Sequence, residues 1–448
     1  MPTINKKFLL KVVLFVLVFT GLLFGTLPAL GSRVDLVSAL KQGGGQAGDA
    51  GSRRKMQGAL IVAQVAVSVM LLVGAGLLLA SFYRLQRVET GYRSDGVLSA
   101  QIFGNFSRYP NINTQRKLYL PVLERLQSQP GVSAAAITNA VPLGGGAPGT
   151  TRFEIEGRPI DDPERRPTTD VRVATPQYFA TIGIPVVSGR VFNDLDTEES
   201  MPVVVVNKAM TKYWEGTDPI GSRITPIGPA NAPRVWFTVV GVVGDVRQFG
   251  LAQETVAQLY LPLTQSPFGI AGQILVRTAG DPAAFGNTLR TTVHAVDPNQ
   301  PVENVRTLDD LRSEALAAPR LTATLLGVFA ALALLVTLAG IGGVIATSVQ
   351  QRTKEFGLRM ALGARRDSVL MMVVRQGLTL VVIGLAIGIA GALAGGRVLS
   401  AYLYQTAPRD PMIYAGVAAV FILAGIVACL IPARRATTVD PLIALRAE

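Results

Sequence analysis

The sequence predicts an α-helical membrane bundle of about five transmembrane helices, with an α+β extracytoplasmic domain of two subdomains inserted between helices 2 and 3. Three observations predict it. Of 448 residues, 49% are hydrophobic, and the mean hydropathy is positive at +0.38. Several apolar runs reach the roughly 20 residues that a helix needs to cross about 30 Å of hydrocarbon. Between the second and third runs, residues 83–320 alternate strand-like and helix-like patterns and hold equal numbers of acidic and basic side chains.

Taken in order, residues 1–31 give helix 1, apolar from Phe8 to Leu30 except for Lys11 and scattered Gly and Thr. With Lys6 and Lys7 in front it also reads as a signal peptide, although the usual apolar stretch of such a peptide is only about 7–15 residues. An internal repeat favours a helix. Leu27, Pro28 and Ala29 precede VDLVSALK, and Ile431, Pro432 and Ala433 precede VDPLIALR, so residues 1–31 read as the end of a truncated first repeat. Residues 32–58 are expected to be a cytoplasmic linker, Gly/Ala-rich at 42–52 and closed by Arg53, Arg54 and Lys55. Helix 2 covers 59–82, where Gln64 and Ser68 stand one turn apart and read equally as hydrogen-bond partners for another helix or as merely tolerated polar residues. The basic cluster before it places its start in the cytoplasm and residues 83–320 outside.

Within 83–320, VLSAQI, VSAAAIT, VVVVN, VWFTVVGVVGDV and AGQILVRT read as strands from their β-branched content. QRKLYLPVLERLQSQ and DPAAFGNTLRTTVHAV read as helices between them, which favours α+β layering. Helix 3 is 321–348, followed by a cytoplasmic segment at 349–372 and helix 4 at 373–396. Gly384, Gly388 and Gly391 give helix 4 a small-residue packing face. An outer loop at 397–411, helix 5 at 412–432 and a basic cytoplasmic tail at 433–448 complete the chain. On this topology Lys6, Lys7 and Lys11 fall outside, the one violation of the positive-inside rule.

Charge and composition exclude several functions. The whole net charge of +12 lies outside residues 83–320, so the soluble part is balanced and nucleic-acid binding is not expected. Cys429 is the single cysteine, which rules out an internal disulfide. His294, the single histidine, reads as a structural residue at a helix end rather than a ligand or catalyst. No G-x-x-x-x-G-K-[ST], H-E-x-x-H or G-x-S-x-G occurs, and the Gly-rich stretch at 142–150 lacks the Lys-Ser/Thr of a phosphate cradle. The acidic pairs Asp161-Asp162, Glu198-Glu199 and Asp309-Asp310 fall in turn-like, solvated contexts. The last three apolar runs carry no charge at mid-span, which argues against an ion-coupled pathway. Catalytic, cofactor and metal sites are therefore not expected, and any energy used comes from another polypeptide.

The most informative stretch is QQRTKEFGLRMALGARRDSVLMM at 350–372. Its charge alone fits an ordinary positive-inside loop. At ~100° per residue Arg352, Glu355 and Arg359 share a helical face, with Phe356 and Met360 beside them, before Gly363-Ala364 breaks the run. That amphipathic turn suits a segment that receives a push from a cytoplasmic partner.

These residues resemble MacB/FtsX-type ABC transporter permeases. Glu355, Phe356, Gly357, Arg359, Gly363, Ala364 and Arg365 are similar to the family's cytoplasmic signature, and PARRATTVDPLIALR is similar to its C-terminus. QYFATIGIPVVSGRVF, VVVVNKAMTKYWEGTDPIGSRI and VWFTVVGVVGDVRQFGL are similar to blocks of its periplasmic core. The chain resembles in particular the C-terminal repeat of the duplicated permeases common in Acidobacteria. The resemblance implies a bacterial inner-membrane, multi-pass permease subunit that binds no ATP itself. A separate ABC ATPase subunit would dock through Arg352, Glu355, Phe356, Gly357, Arg359, Gly363, Arg365 and Arg366 and drive movement of the outer domain for export of a substrate. It further implies a homodimer or pairing with another permease repeat, and it allows a periplasmic or outer-membrane partner. A membrane-anchored sensor with an outer ligand-binding domain, or an inactive fragment of a duplicated permease, are the competing readings.

Overall fold

The computed structural model describes residues 46–102, 114–144, 149–158, 160, 162–227, 234–266, 272–352, 355, 356, 358, 359, 362 and 365–437. Helix 1 at 1–31, Lys354, Gly357, Met360, Gly363, Ala364 and the tail beyond 437 lie outside the described residues. Four described helices are long and apolar enough to span a membrane: α1 (Gln46–Gln86), α5 (Leu308–Gln351), α6 (Arg366–Leu399) and α7 (Pro411–Thr437). The three shorter helices are α2 (Leu120–Gln127), α3 (Tyr178–Ile182) and α4 (Gly286–Val296).

The stretch expected to be a linker is helical from Gln46 onward. Its Gln, Ala, Lys and Met are good helix formers, and extending an existing helix costs far less than nucleating one. Asp309 and Asp310, read above as a solvated turn, open α5 instead. Asp310 Oδ2 accepts the Thr307 N–H (3.1 Å), and Thr307 Oγ1 accepts the Asp310 N–H (3.0 Å), a reciprocal cap that satisfies orphan amides of the first turn. His294 occupies the last turn of α4 and faces solvent, so it packs no core.

The described residues form two compact units. One falls within Met1–Val67, Val336–Ile387 and Phe421–Glu448 and contains only stretches of the long helices and the segment joining α5 to α6. The other, Ser68–Leu335 and Gly388–Val420, contains all the strands.

Those strands fall into two groups. The first is an antiparallel sheet ordered β11 (Glu303–Thr307), β1 (Val97–Gln101), β10 (Gln273–Thr278) and β2 (Val132–Thr138). Successive residues of a strand point to opposite faces, and both faces here are covered. Ile274 and Val276 of β10, with Ala135 and Ile137 of β2, pack on Val122 and Leu126 of α2 and on Leu289 and Val293 of α4. Leu275 and Ala136 face the other way, into a cluster with Tyr178, Phe179 and Ile182 of α3. Burial on both sides explains why β2 and β10 read as nearly continuous apolar runs, while β11 at the edge stays largely exposed.

The second group closes on itself. β4 (Thr168–Ala174) pairs with β3 (Thr150–Ile155), β3 with β7 (Arg223–Pro226), β7 with β8 (Phe237–Val243), β8 with β6 (Val203–Asn207), β6 with β9 (Gln258–Pro262), and β9 with β4 again. Phe153, Val204, Val206, Met210, Trp214, Phe237, Val239, Leu259 and Leu261 form the core of this ring. A seventh strand of the region, β5 (Val186–Gly189), adds to β8. The two groups meet at a single bridge, Thr138 to Ala174, so they form one continuous 11-stranded sheet.

Candidate functional site

The segment between α5 and α6 is the candidate site. α5 ends at Gln351, and a further helical turn follows, in which the Phe356 N–H donates to Arg352 O (2.9 Å) and the Leu362 N–H to Leu358 O (3.0 Å). Glu355 and Arg359 stand four residues apart and pair at 2.6 Å, both about half exposed. An exposed pair of this kind contributes little stability, so its carboxylate and guanidinium remain open to a partner. The Arg359 guanidinium also reaches Met372 Sδ at 3.3 Å, tying the turn to α6.

Phe356 is buried, whereas Leu358 and Leu362 are 53% and 79% exposed. Arg352 is half-buried and Arg365 exposed, with the Ser368 N–H donating to Arg365 O at 3.0 Å. Arg366 begins α6, and Gly357 and Gly363 lie outside the described residues. The turn thus anchors one aromatic ring inward and presents two leucines and an ion pair outward. Charge drew attention to this stretch; the leucine pair did not. Its i, i+4 spacing opposite Phe356 was the available signal.

The helix glycines make close contacts. A Cβ on Gly384 would lie 2.6 Å from Val65 Cβ and 3.0 Å from Val62 O, both on α1. On Gly391 it would overlap the Met70 side chain, also on α1. Gly388 lies between them on the same helix. Such small residues let helix backbones approach closely where van der Waals packing drives association. Gly384→Leu is expected to destabilise the full-length protein by about 1–3 kcal/mol through overpacking, read as a lower Tm in detergent. An unchanged Tm would mean that α1 and α6 do not depend on this approach. Ser68 Oγ donates to Ala333 O on α5 at 3.2 Å, which gives the polar face of helix 2 a partner.

One further polar feature lies inside the strand-rich unit. Asp170 and Arg172 of β4 are both almost fully buried and pair at 2.6 Å. Gln258 Nε2 donates to Asp170 Oδ2 (3.3 Å), Tyr260 donates its hydroxyl to Gln258 Oε1 (3.1 Å), and the Arg172 guanidinium stacks over Phe249 at 5.4 Å. Burial raises the Asp170 carboxyl above its ordinary range despite the guanidinium beside it. Among the described residues no cluster of His, Cys, Asp and Glu suits a metal ion.

A family model described as the MacB-like periplasmic core domain matches residues 58–301, more than half of the chain. The chain belongs to this family. Residues 327–441 match the FtsX-like permease C-terminal model, so the helical segments of this permease match a family model as well. It is 25% identical to the uncharacterized ABC transporter permease YknZ of Bacillus subtilis, over 75% of this chain and 86% of that protein. It is 28% identical to the macrolide export ATP-binding/permease protein MacB of Azoarcus sp., over 59% of this chain but 40% of that protein. With the pyoverdine export ATP-binding/permease protein PvdT of Pseudomonas savastanoi it shares 27% identity, over 60% of this chain and 42% of that one. The permease thus spans about two fifths of the length of these ATP-binding/permease relatives. The periplasmic region of MacB from Actinobacillus actinomycetemcomitans is similar at 15% identity and a TM-score of 0.36, over 52% of this chain and 97% of that one.

Proposed function

We propose that this permease is the transmembrane subunit of an inner-membrane export machine, worked by a separate ABC ATPase that docks on the turn between α5 and α6. The observation that carries this reading is the outward pair Leu358 and Leu362 beside the exposed Glu355 and Arg359, held by the buried Phe356. Apolar knobs flanked by open charges suit a groove on a protein partner, the charges setting register and the leucines filling pockets. ATP stays on the partner, since the sequence holds no P-loop. Closure of the ATPase would push the inner ends of α5 and α6, and the helices would carry that push to the strand-rich domain. Two copies of the chain, or this chain and another permease repeat, would complete the unit. The export functions in the printed names of MacB and PvdT support extrusion as the direction of work.

The test is purification of the tagged full-length chain from its native membrane in mild detergent. An ABC ATPase subunit should co-purify in stoichiometric amount, and its ATP hydrolysis should change when Glu355→Lys is introduced. Recovery of the chain with no ATPase, or hydrolysis indifferent to the substitution, would overturn the reading.

A further inference from the structure

The connection between α6 and α7, residues 400–410, is bound to two other elements of its own compact unit through side chains that the coupling turn does not involve. The outer end of α1 holds it first. Arg84 donates Nη1 to Gln405 O at 2.6 Å and places Nη2 at 3.5 Å from the Asp410 carboxylate. One turn earlier, Ser81 Oγ accepts the Tyr404 N–H at 2.8 Å. Gln405 has a φ of +45°, the left-handed region that a side chain adopts only when its surroundings demand it.

The second hold comes from the strand-rich domain. The Arg247 guanidinium lies 5.8 Å over the Tyr404 ring. Its own loop is fixed to the chain leaving α1. The Arg247 N–H donates to Thr90 O at 3.0 Å, the Arg247 side chain donates to Gln253 O, and Gly91, at φ +77°, passes so close to Asp245 O that no Cβ fits. A third arginine, Arg312 in the first turns of α5, donates to Gln86 O at 3.0 Å. Tyr404 is therefore held from both sides, by α1 through its amide and by the domain through its ring.

We infer that the α6–α7 connection is a latch, and that Arg84, Arg247 and Tyr404 are positioning residues that make the α6–α7 hairpin move together with the outer end of α1 and the strand-rich domain. A hairpin without such a hold would shift in the bilayer and leave the domain behind. With it, displacement of α6 and α7 reaches the domain by a route separate from the direct continuation of α1 and α5 into it. This rests on the coupling reading above for the source of the push, but the latch is a property of the permease alone and can be measured without an ATPase.

Two substitutions separate the latch from simple packing. Tyr404→Phe keeps the aromatic face beneath Arg247, and Tyr404→Leu removes it while leaving the amide that Ser81 accepts. Hydrogen exchange of the full-length permease in lipid nanodiscs is the first readout. Tyr404→Leu, and separately Arg84→Ala, should speed exchange by about fivefold both in 403–410 and in 244–253, since a cation–π contact or a charged hydrogen bond is lost from a shared cooperative unit. Tyr404→Phe should leave both segments as in the parent. Faster exchange confined to 403–410 would overturn the latch, as would equal effects of Phe and Leu. The second readout uses spin labels at Asn287 and Arg397 in a Cys429→Ser background, with whatever ATPase co-purifies. The ATP-dependent change in the distance between them should remain small in the parent and widen in Tyr404→Leu, while ATP hydrolysis persists. An unchanged response in Tyr404→Leu would also overturn the latch. If no ATPase co-purifies, the coupling reading fails while the exchange experiment still decides the latch.

Discussion

Replacing Arg172 with methionine is expected to destabilise the strand-rich domain by about 3–5 kcal/mol, because it strands the Asp170 carboxylate in the interior with its charged partner gone. That is a large share of the roughly 5–15 kcal/mol that holds a typical domain folded, so the variant should express poorly or melt well below the parent. The cost has a pH signature. The Asp170 carboxyl already sits above its ordinary range because burial outweighs the help of Arg172, and removing the guanidinium raises it further. A folded-state pKa above the unfolded value of about 3.9 gives stability that is fully present below that value. It is lost as pH rises through the folded pKa. The deficit of Arg172→Met should therefore be greatest at neutral pH and shrink in acid, where the carboxyl is protonated in both states. Denaturant unfolding of the full-length chain, followed through the buried Trp214, measures this. Replacing Asp170 by leucine together with Arg172 by methionine should recover most of the loss, since no charge is left unpaired. A double variant as unstable as the single one would mean that the pair holds the ring in register rather than merely neutralising itself.

The same pair shows how far the sequence could be read. In TTDVRVA the polar residues alternate with valines, which describes a strand with one wet face. Both faces are in fact dry, because β4 lies in a closed ring whose partner strand β9 places Gln258 beside Asp170, 88 residues away in sequence. Closure of that kind leaves no local pattern, so the strands at 203–207 and 237–243 were legible from their β-branched runs while their pairing was not. The four spans were legible for the opposite reason: length and apolarity are summed locally and need no partner. At the turn between α5 and α6, charge and period marked the segment, but which side faces inward depends on what covers it. Phe356 is covered, and Leu358 and Leu362 are not. The contacts of the α6–α7 connection were the least legible, since Arg84, Arg247 and Tyr404 come from three distant stretches and only Arg247 lies in a block singled out from the sequence.

Leu358 and Leu362 carry the second large effect. Introducing Leu358→Glu with Leu362→Glu is expected to abolish recovery of the ATPase with the tagged permease, while the Tm of the permease itself stays within about 1 °C of the parent, because surface substitutions away from packed features cost no more than roughly 0.5 kcal/mol. The size of the effect follows from where the leucines stand. A large apolar side chain that fills a pocket at the centre of an interface is worth about 2 kcal/mol or more, some thirtyfold in affinity, and each glutamate adds the cost of burying an unpaired charge. Phe356→Ala makes the contrast. That ring is buried in the permease itself, so its loss should lower the Tm by the equivalent of about 3 kcal/mol or more and weaken docking only through the distorted turn. Reversing the ion pair, Glu355→Arg with Arg359→Glu, should leave stability unchanged because the pair is half exposed, yet slow association by displacing the charges that set register. If the leucine variant still brings down the ATPase at the parent's level, the turn between α5 and α6 is not the docking surface, and the ion pair and the buried ring serve only to end one helix and begin the next.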